Sequence, residues 1–430
     1  MNTHELKKRI LEGRLDEALS GLGRNGSALT VESRNALAGA CQEIADQHGF
    51  GKAVELVIAL SRKLGFLLAD PEVDTLETVE IPLPGGAVCR LEENPKRADR
   101  GNVQKLTERG IINPGAPEDS WMYERWPADR MGGPAPLDDA QRGWGKKQFG
   151  AVKCFLCSGL GRGRERPVNP NEIFISFAGP DGTIHAGCNF AALAPYHMTA
   201  FLSDSTQQRV DGLTVERALS ILENLHKGSD PTKTPFSVIH NGDLVCSVDK
   251  DGKVAMKGAG ATLLHDHNQF MRADLPVANA KALCRKTANG VELAVLDWPS
   301  SAICVSAPPS SRKAFLQQAN RVIRKWQEKK PGNTVNLILT TDGQDNLVAF
   351  IAMRRVGMAD APGKKCVASL EQSGIIVLDD LDVFRNRQSA SAADRLGYLT
   401  TVLQAVDPVL ADAGGDAGKK QAILKELVGV

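Results

Sequence analysis

Four short apolar runs in the C-terminal part of the chain set the strongest limit on its fold. Val291-Glu292-Leu293-Ala294-Val295-Leu296, Val335-Asn336-Leu337-Ile338-Leu339-Thr340, Leu347-Val348-Ala349-Phe350-Ile351-Ala352 and Gly374-Ile375-Ile376-Val377-Leu378 all read as strands. Between the first two, Arg312 to Lys329 carries the period of a long amphipathic helix. Upstream, residues 151 to 275 show the same style, with short β-like runs around one clear helix at about Val215 to Leu225. Short strands with interspersed helices imply an α+β fold, and the recurrence of the style implies two related halves.

The rest of the chain divides more loosely. Residues 1–70 read as a helical N-terminal extension. Leu6, Ile10, Leu11, Leu15, Ala18 and Leu19 recur near the helical period, and Val54 through Leu67 gives a second apolar helix. Residues 71–150 open with a hairpin around Pro84-Gly85-Gly86, flanked by Val79 to Leu83 and Ala87 to Leu91. A Pro/Gly-rich arm follows from Ile112 to Asp139. Residues 151–275 and 276–430 form the two halves. With 430 residues, 42% of them hydrophobic, there is enough apolar side chain for a large core. A formal charge of +1 gives no electrostatic reason to expect nucleic acid or a membrane surface as partner. No apolar run reaches membrane-spanning length and the N-terminus lacks an apolar signal core. Nine scattered cysteines with one close pair fit a reducing, cytoplasmic compartment.

The chemistry concentrates in Gly258-Ala259-Gly260-Ala261-Thr262-Leu263-Leu264-His265-Asp266-His267-Asn268-Gln269. On an extended segment side chains alternate, so His265, His267 and Gln269 share one face. The small residues before them let a phosphate approach the backbone closely. One imidazole can attack phosphorus while a neutral amide holds the phosphoryl oxygens. An amide cannot serve as a general acid, so Gln269 suits a leaving group that needs little protonation, such as a pyrophosphate or sugar phosphate. Cys154-Phe155-Leu156-Cys157 is a CxxC unit, open to a zinc site, a redox pair or two buried thiols. Two cysteines and two histidines close a tetrahedral zinc site, and His197 and His265 are the candidates for the nitrogens. Arg162, Arg164 and Arg166 either clamp phosphates or form a solvated basic loop.

The segment Gly260 to Gln269 resembles the active-site strand of the galactose-1-phosphate uridylyltransferase branch of the histidine-triad superfamily. That branch includes diadenosine tetraphosphate phosphorylases and GDP-hexose phosphorylases. Cys154-Phe155-Leu156-Cys157 is similar to the first zinc-ligand pair of the uridylyltransferases. Asn189 to Leu193, leading to Pro195 and His197, resembles their next strand and third ligand, and Asn241-Gly242 their phosphate-contacting asparagine. Asn336 to Thr340 followed by Met353-Arg354-Arg355 is similar to the C-terminal part of the phosphorylases. The likeness covers about residues 150 to 385 and leaves out the N-terminal 150.

The resemblance implies a histidine-triad-like α+β fold in which His267 is the nucleophile and Gln269 holds the transferred phosphoryl group. It implies phosphate contacts from Asn241, Gly260 and Thr262, and a structural zinc ion on Cys154, Cys157, His197 and His265. It also implies a homodimer, since the uridylyltransferases form sites across subunits. The chain departs from the uridylyltransferases in having no histidine after His267 and in placing Asp266 where they have proline. The expected activity is nucleotidyl transfer or phosphorolysis through a nucleotidyl-His267 intermediate. The donor would be a nucleotide sugar or a dinucleoside polyphosphate, and the acceptor phosphate or a sugar phosphate. A zinc-dependent phosphoester or pyrophosphate hydrolase and a non-catalytic, zinc-stabilised nucleotide-binding module are the alternatives.

Overall fold

The computed structural model describes residues 3–25, 28–71, 76–94, 96–97, 171–202, 208–248, 254–261, 265–364, 366–378 and 380–430. The chain opens with helices Thr3–Leu11, Leu15–Ser20, Val31–His48 and Phe50–Lys63, interrupted by a short hairpin of β1 (Arg24–Asn25) and β2 (Ala28–Leu29). The Val31–His48 helix starts where the Thr30 side chain accepts a hydrogen bond from the Ser33 N–H, a cap that contributes about 1 kcal/mol.

Next come β3 (Thr78–Pro82) and β4 (Val88–Glu93), then β5 (Phe174–Ala178), β6 (Thr183–Cys188) and β7 (Met198–Leu202). Helix Thr214–His226 leads to β8 (Phe236–His240), β9 (Leu244–Val248), β10 (Val254–Gly258) and β11 (His267–Arg272). After these follow β12 (Ala282–Ala288), β13 (Val291–Leu296), β14 (Ala302–Ala307), helix Arg312–Lys329, β15 (Asn333–Thr341), β16 (Leu347–Arg355) and β17 (Ile375–Leu378). Helices Leu381–Gln388, Ala392–Ala405, Pro408–Asp412 and Ala417–Val428 complete the chain.

The fold is α+β. Strands of both the 151–275 and the 276–430 stretches join one ten-stranded sheet in the order β12-β13-β14-β16-β15-β8-β11-β7-β6-β5. Its neighbours pair antiparallel throughout. The seam between the two stretches is β8 against β15, with Leu337 opposite His240, Ile338 opposite Ile239 and Leu339 opposite Val238. A three-stranded sheet, β17-β4-β3, and a β9-β10 hairpin lie beside it.

Alternation along each strand divides the core in two. Val238, Phe270, Leu337, Ile351 and Met198 join the helices Val31–His48, Phe50–Lys63, Thr214–His226, Arg312–Lys329 and Ala417–Val428 in one cluster. Their neighbours Ile239, Met271, Ile338 and Phe350 join the three-stranded sheet and helix Ala392–Ala405 in the other. The helical N-terminal residues therefore pack on one face of the sheet. At Gly51, in the first turn of helix Phe50–Lys63, an added Cβ would sit 2.0 Å from the Leu225 carbonyl oxygen. Only glycine allows this helix to cross the end of Thr214–His226 so closely. Among the described residues no helix is long and apolar enough to cross a membrane.

Candidate active site

β11 is an interior strand, with Gln269 paired to Thr199 of β7 on one side and Ile239 of β8 on the other. Phe270 belongs to the helix-side core and Met271 to the opposite one. By alternation His267 and Gln269 lie on the Met271 face, away from the large helices. His267 is buried and Gln269 half-buried.

His267 Nδ1 lies 2.8 Å from the His265 carbonyl oxygen. A carbonyl only accepts, so Nδ1 carries the proton, and in the neutral ring Nε2 keeps its lone pair. Nε2 meets no partner among the described residues. Burial holds this imidazole well below its ordinary value, at about 4, although the bond to the His265 carbonyl and the Asp266 charge work in the other direction. The ring is therefore neutral at pH 7. His265 is buried, with Nε2 3.2 Å from the Leu202 carbonyl oxygen and its ring edge-on to Phe201 at 5.4 Å.

The β8–β11 ladder ends with Gln269 opposite Ile239. Two residues further on, the same register sets His267 across from Asn241. Gln208 fills the gap between them. Its Oε1 accepts from the His267 N–H at 2.9 Å and its Nε2 donates to the Asn241 carbonyl at 2.6 Å. A side-chain amide thus takes the place of one peptide group in the ladder and satisfies both backbone groups. Asn241 Oδ1 accepts from the Ser369 N–H at 3.0 Å and from its hydroxyl at 2.7 Å. Its Nδ2 meets no partner among the described residues.

Asp266 points to the other side of the sheet. Its Oδ1 accepts from His240 Nε2 at 2.8 Å, and its Oδ2 lies 3.4 Å from Arg217 Nη1. Arg217, on helix Thr214–His226, also holds Asp181 at 2.6 Å and Asp211 at 3.1 Å. Burial opposes charge on Asp266, but the His240 bond and the His240 and Arg217 charges outweigh it and hold the carboxyl below its usual range. This chain of charged groups anchors the segment between the two histidines.

Of the residues singled out by sequence, His267, Gln269 and Asn241 come together on one face. Gly260 has φ 107°, and an added Cβ would lie 2.8 Å from Ala368 Cα. The space before it is taken by the 367–368 backbone, which only glycine tolerates at this φ. Cys154, Cys157, Arg164 and Thr262 lie outside the described residues. Among the described residues no three His, Cys, Asp or Glu side chains form a metal-sized group. His197, the expected third zinc ligand, is hydrogen-bonded through both ring nitrogens. Its Nδ1 accepts from the Leu193 N–H at 3.0 Å and its Nε2 is bonded to Gln269 Oε1 at 2.9 Å. Burial lowers its pKa to about 3, against the Gln269 bond, so this ring is neutral too. Gln208, Ser369 and Arg217 were not singled out by the sequence. None belongs to a motif, and the bonds from Gln208 to Asn241, Arg217 to Asp266 and Ser369 to Asn241 span 33, 49 and 128 residues.

No protein-family model matches the sequence, and no curated protein matches it. Three-dimensional comparison finds yeast Ap4A phosphorylase Apa2. Its complex with AMP is 14% identical, covers 82% of this chain and 94% of its own, and has a TM-score of 0.45. Its complex with Ap4A is 15% identical, with coverages of 82% and 95% and a TM-score of 0.44. A DUF4931 family protein of Bacillus cereus is 13% identical over 52% of this chain and 96% of its own, at a TM-score of 0.30. At these values the likeness is loose, and the chemistry has to be read from this chain's own residues.

Proposed function

We propose that the protein transfers a nucleoside monophosphate through His267, as a nucleotidyltransferase or phosphorylase acting on a nucleotide sugar or dinucleoside polyphosphate. The observation that carries this reading is the hydrogen bond from His267 Nδ1 to the His265 carbonyl. It leaves the Nε2 lone pair available, on the same face as the amide nitrogens of Gln269 and Asn241, which meet no partner among the described residues. A nucleophile flanked by neutral N–H donors suits an attacked phosphoryl group, whose oxygens are acceptors only.

In the first step Nε2 forms a bond to the α-phosphorus of the donor. The bond from that phosphorus to the bridging oxygen breaks, and the leaving group, a sugar phosphate from a nucleotide sugar or a nucleoside polyphosphate from a dinucleoside polyphosphate, departs with the electron pair. Gln269 and Asn241 donate to the non-bridging oxygens. The His265 carbonyl holds the Nδ1 proton while the ring carries positive charge. In the second step an oxygen of the acceptor phosphate attacks the same phosphorus, and the P–N bond breaks to return neutral His267. No step requires a general acid, in keeping with an amide at position 269. Zinc takes no part in these steps.

Intact-mass measurement after incubation with a panel of nucleotide sugars and dinucleoside polyphosphates, without acceptor, tests the reading. A gain of one nucleoside monophosphate in wild type, absent in His267→Ala, is the expected result. Turnover without any adduct in wild type would instead favour a hydrolase.

A further inference from the structure

The contacts around Gln269 determine which end of its amide a ligand meets. Leu193 donates its backbone N–H to His197 Nδ1 at 3.0 Å, which uses the lone pair of that nitrogen. In a neutral imidazole the proton then resides on Nε2. This Nε2–H faces Gln269 Oε1 at 2.9 Å and donates to it. The amide oxygen of Gln269 is thereby occupied, and its two N–H bonds turn away from His197, where no described residue receives them.

The turn that carries His197 is itself closed around the ring. The Asn189 N–H donates to the His197 carbonyl at 3.0 Å. Tyr196, just before it, takes the left-handed backbone conformation with φ 58°, a geometry that surrounding structure must impose on a bulky residue. The ring is buried, at 1% exposure, so solvent does not replace either contact.

We propose that His197 is a positioning residue that fixes the carboxamide of Gln269 with its N–H groups toward the bound phosphoryl group, and that it is not a metal ligand. A ligating nitrogen must offer a lone pair to the metal. Here one lone pair is taken by Leu193 and the other nitrogen bears hydrogen. The orientation of the amide stands by itself, and its effect on a phosphoryl group rests on the reading given above. With the N–H end outward Gln269 attracts phosphoryl oxygens. With the carbonyl end outward it would repel them, and a side chain lacking a donor at position 197 leaves both orientations open.

The test uses the full chain labelled with 15N-histidine, together with His197→Gln and His197→Met. Glutamine reaches about as far as Nε2 of histidine and keeps a donor, whereas methionine has none. The expected spectrum shows His197 as the Nε2–H tautomer, unchanged between chelator-treated and zinc-supplemented protein. A zinc-dependent move of its nitrogen resonances, or a loss of bound zinc confined to the His197 variants, overturns the proposal. In adduct formation from a dinucleoside polyphosphate, His197→Gln should stay within about threefold of wild type. His197→Met should fall by about tenfold, less than deletion of a whole oxyanion donor. Equal rates in all three proteins also overturn it. If wild type forms no adduct, the covalent reading fails, and the nitrogen spectrum alone decides the role of His197.

Discussion

Replacing Asp266 should cost far more stability than a surface carboxylate would, and the amount can be worked from its partners. Asp266 is 3% exposed and accepts from His240 Nε2 at 2.8 Å. His240 is buried too, and its Nδ1 meets no partner among the described residues, so Nε2, which also lies 3.2 Å from Gln208 Nε2, carries its polar anchoring. Asp266→Ala removes a charged acceptor, a bond that contributes about 1.5–3 kcal/mol, and strands a buried donor. Arg217 is not stranded, because Asp181 and Asp211 still hold it. The cost should therefore fall at the low end of the range for a broken buried pair, about 3 kcal/mol. Asp266→Asn keeps an oxygen for His240 and loses only the charge, so about 1 kcal/mol is expected.

Urea unfolding followed by circular dichroism at pH 7 gives both differences. The pH dependence supplies a sign. The native pKa of Asp266 lies below the ordinary 3.8, so its contribution is complete above that value and is lost as pH falls through the native pKa. The gap between wild type and Asp266→Ala should be widest at neutral pH and close in strong acid. A loss below 1 kcal/mol at pH 7, or a gap that widens on acidification, would refute the assignment of Asp266 as the charged anchor.

The adduct-forming step should be insensitive to pH from about 8 down to 5, since burial keeps His267 deprotonated to about 4; an acid limb centred near the ordinary histidine value of 6.5 would contradict this, and single-turnover mass analysis reads it. Gln208→Leu fills a similar volume but leaves the buried His267 N–H and Asn241 carbonyl unsatisfied, so it should destabilise the protein by about 2–4 kcal/mol and slow adduct formation, as unfolding and mass measurements would reveal.

The parts of the fold that could be read from sequence are those where local pattern and burial coincide. Helix Arg312–Lys329 buries Phe315, Ala319, Val322, Ile323 and Trp326 on one stripe, so its period is visible in the residues. Strand β12 gives no such signal. It is the edge of the ten-stranded sheet, alternates between partly exposed and exposed positions, and carries Arg285 and Lys286. Charged residues on an edge discourage further pairing, and the same charges erase the apolar pattern. At the site, the i and i+2 spacing of His267 and Gln269 was enough to set them on one face. The link from Asp266 to His240 and Arg217 joins three elements over 26 and 49 residues of sequence, and only the tertiary fold brings it about. His197 and Gln269 are likewise 72 residues apart. A histidine's residue type alone does not tell a metal ligand from a hydrogen-bond donor.

The seam between β8 and β15 has a consequence for how the chain must be made. All five residues of β8 are buried in the finished sheet, and its outer edge is covered by Val238, Ile239 and His240 pairing with Leu339, Ile338 and Leu337. A ribosome delivers those partners about a hundred residues after β8, which at typical elongation rates is on the order of ten seconds. During that interval the nascent chain presents an apolar strand with an unpaired edge, the kind of surface that recruits strands from other chains. The strand next to the candidate nucleophile is thus also where a half-made molecule is most exposed to aggregation, and slowing translation between codons 241 and 337 would lengthen that exposure.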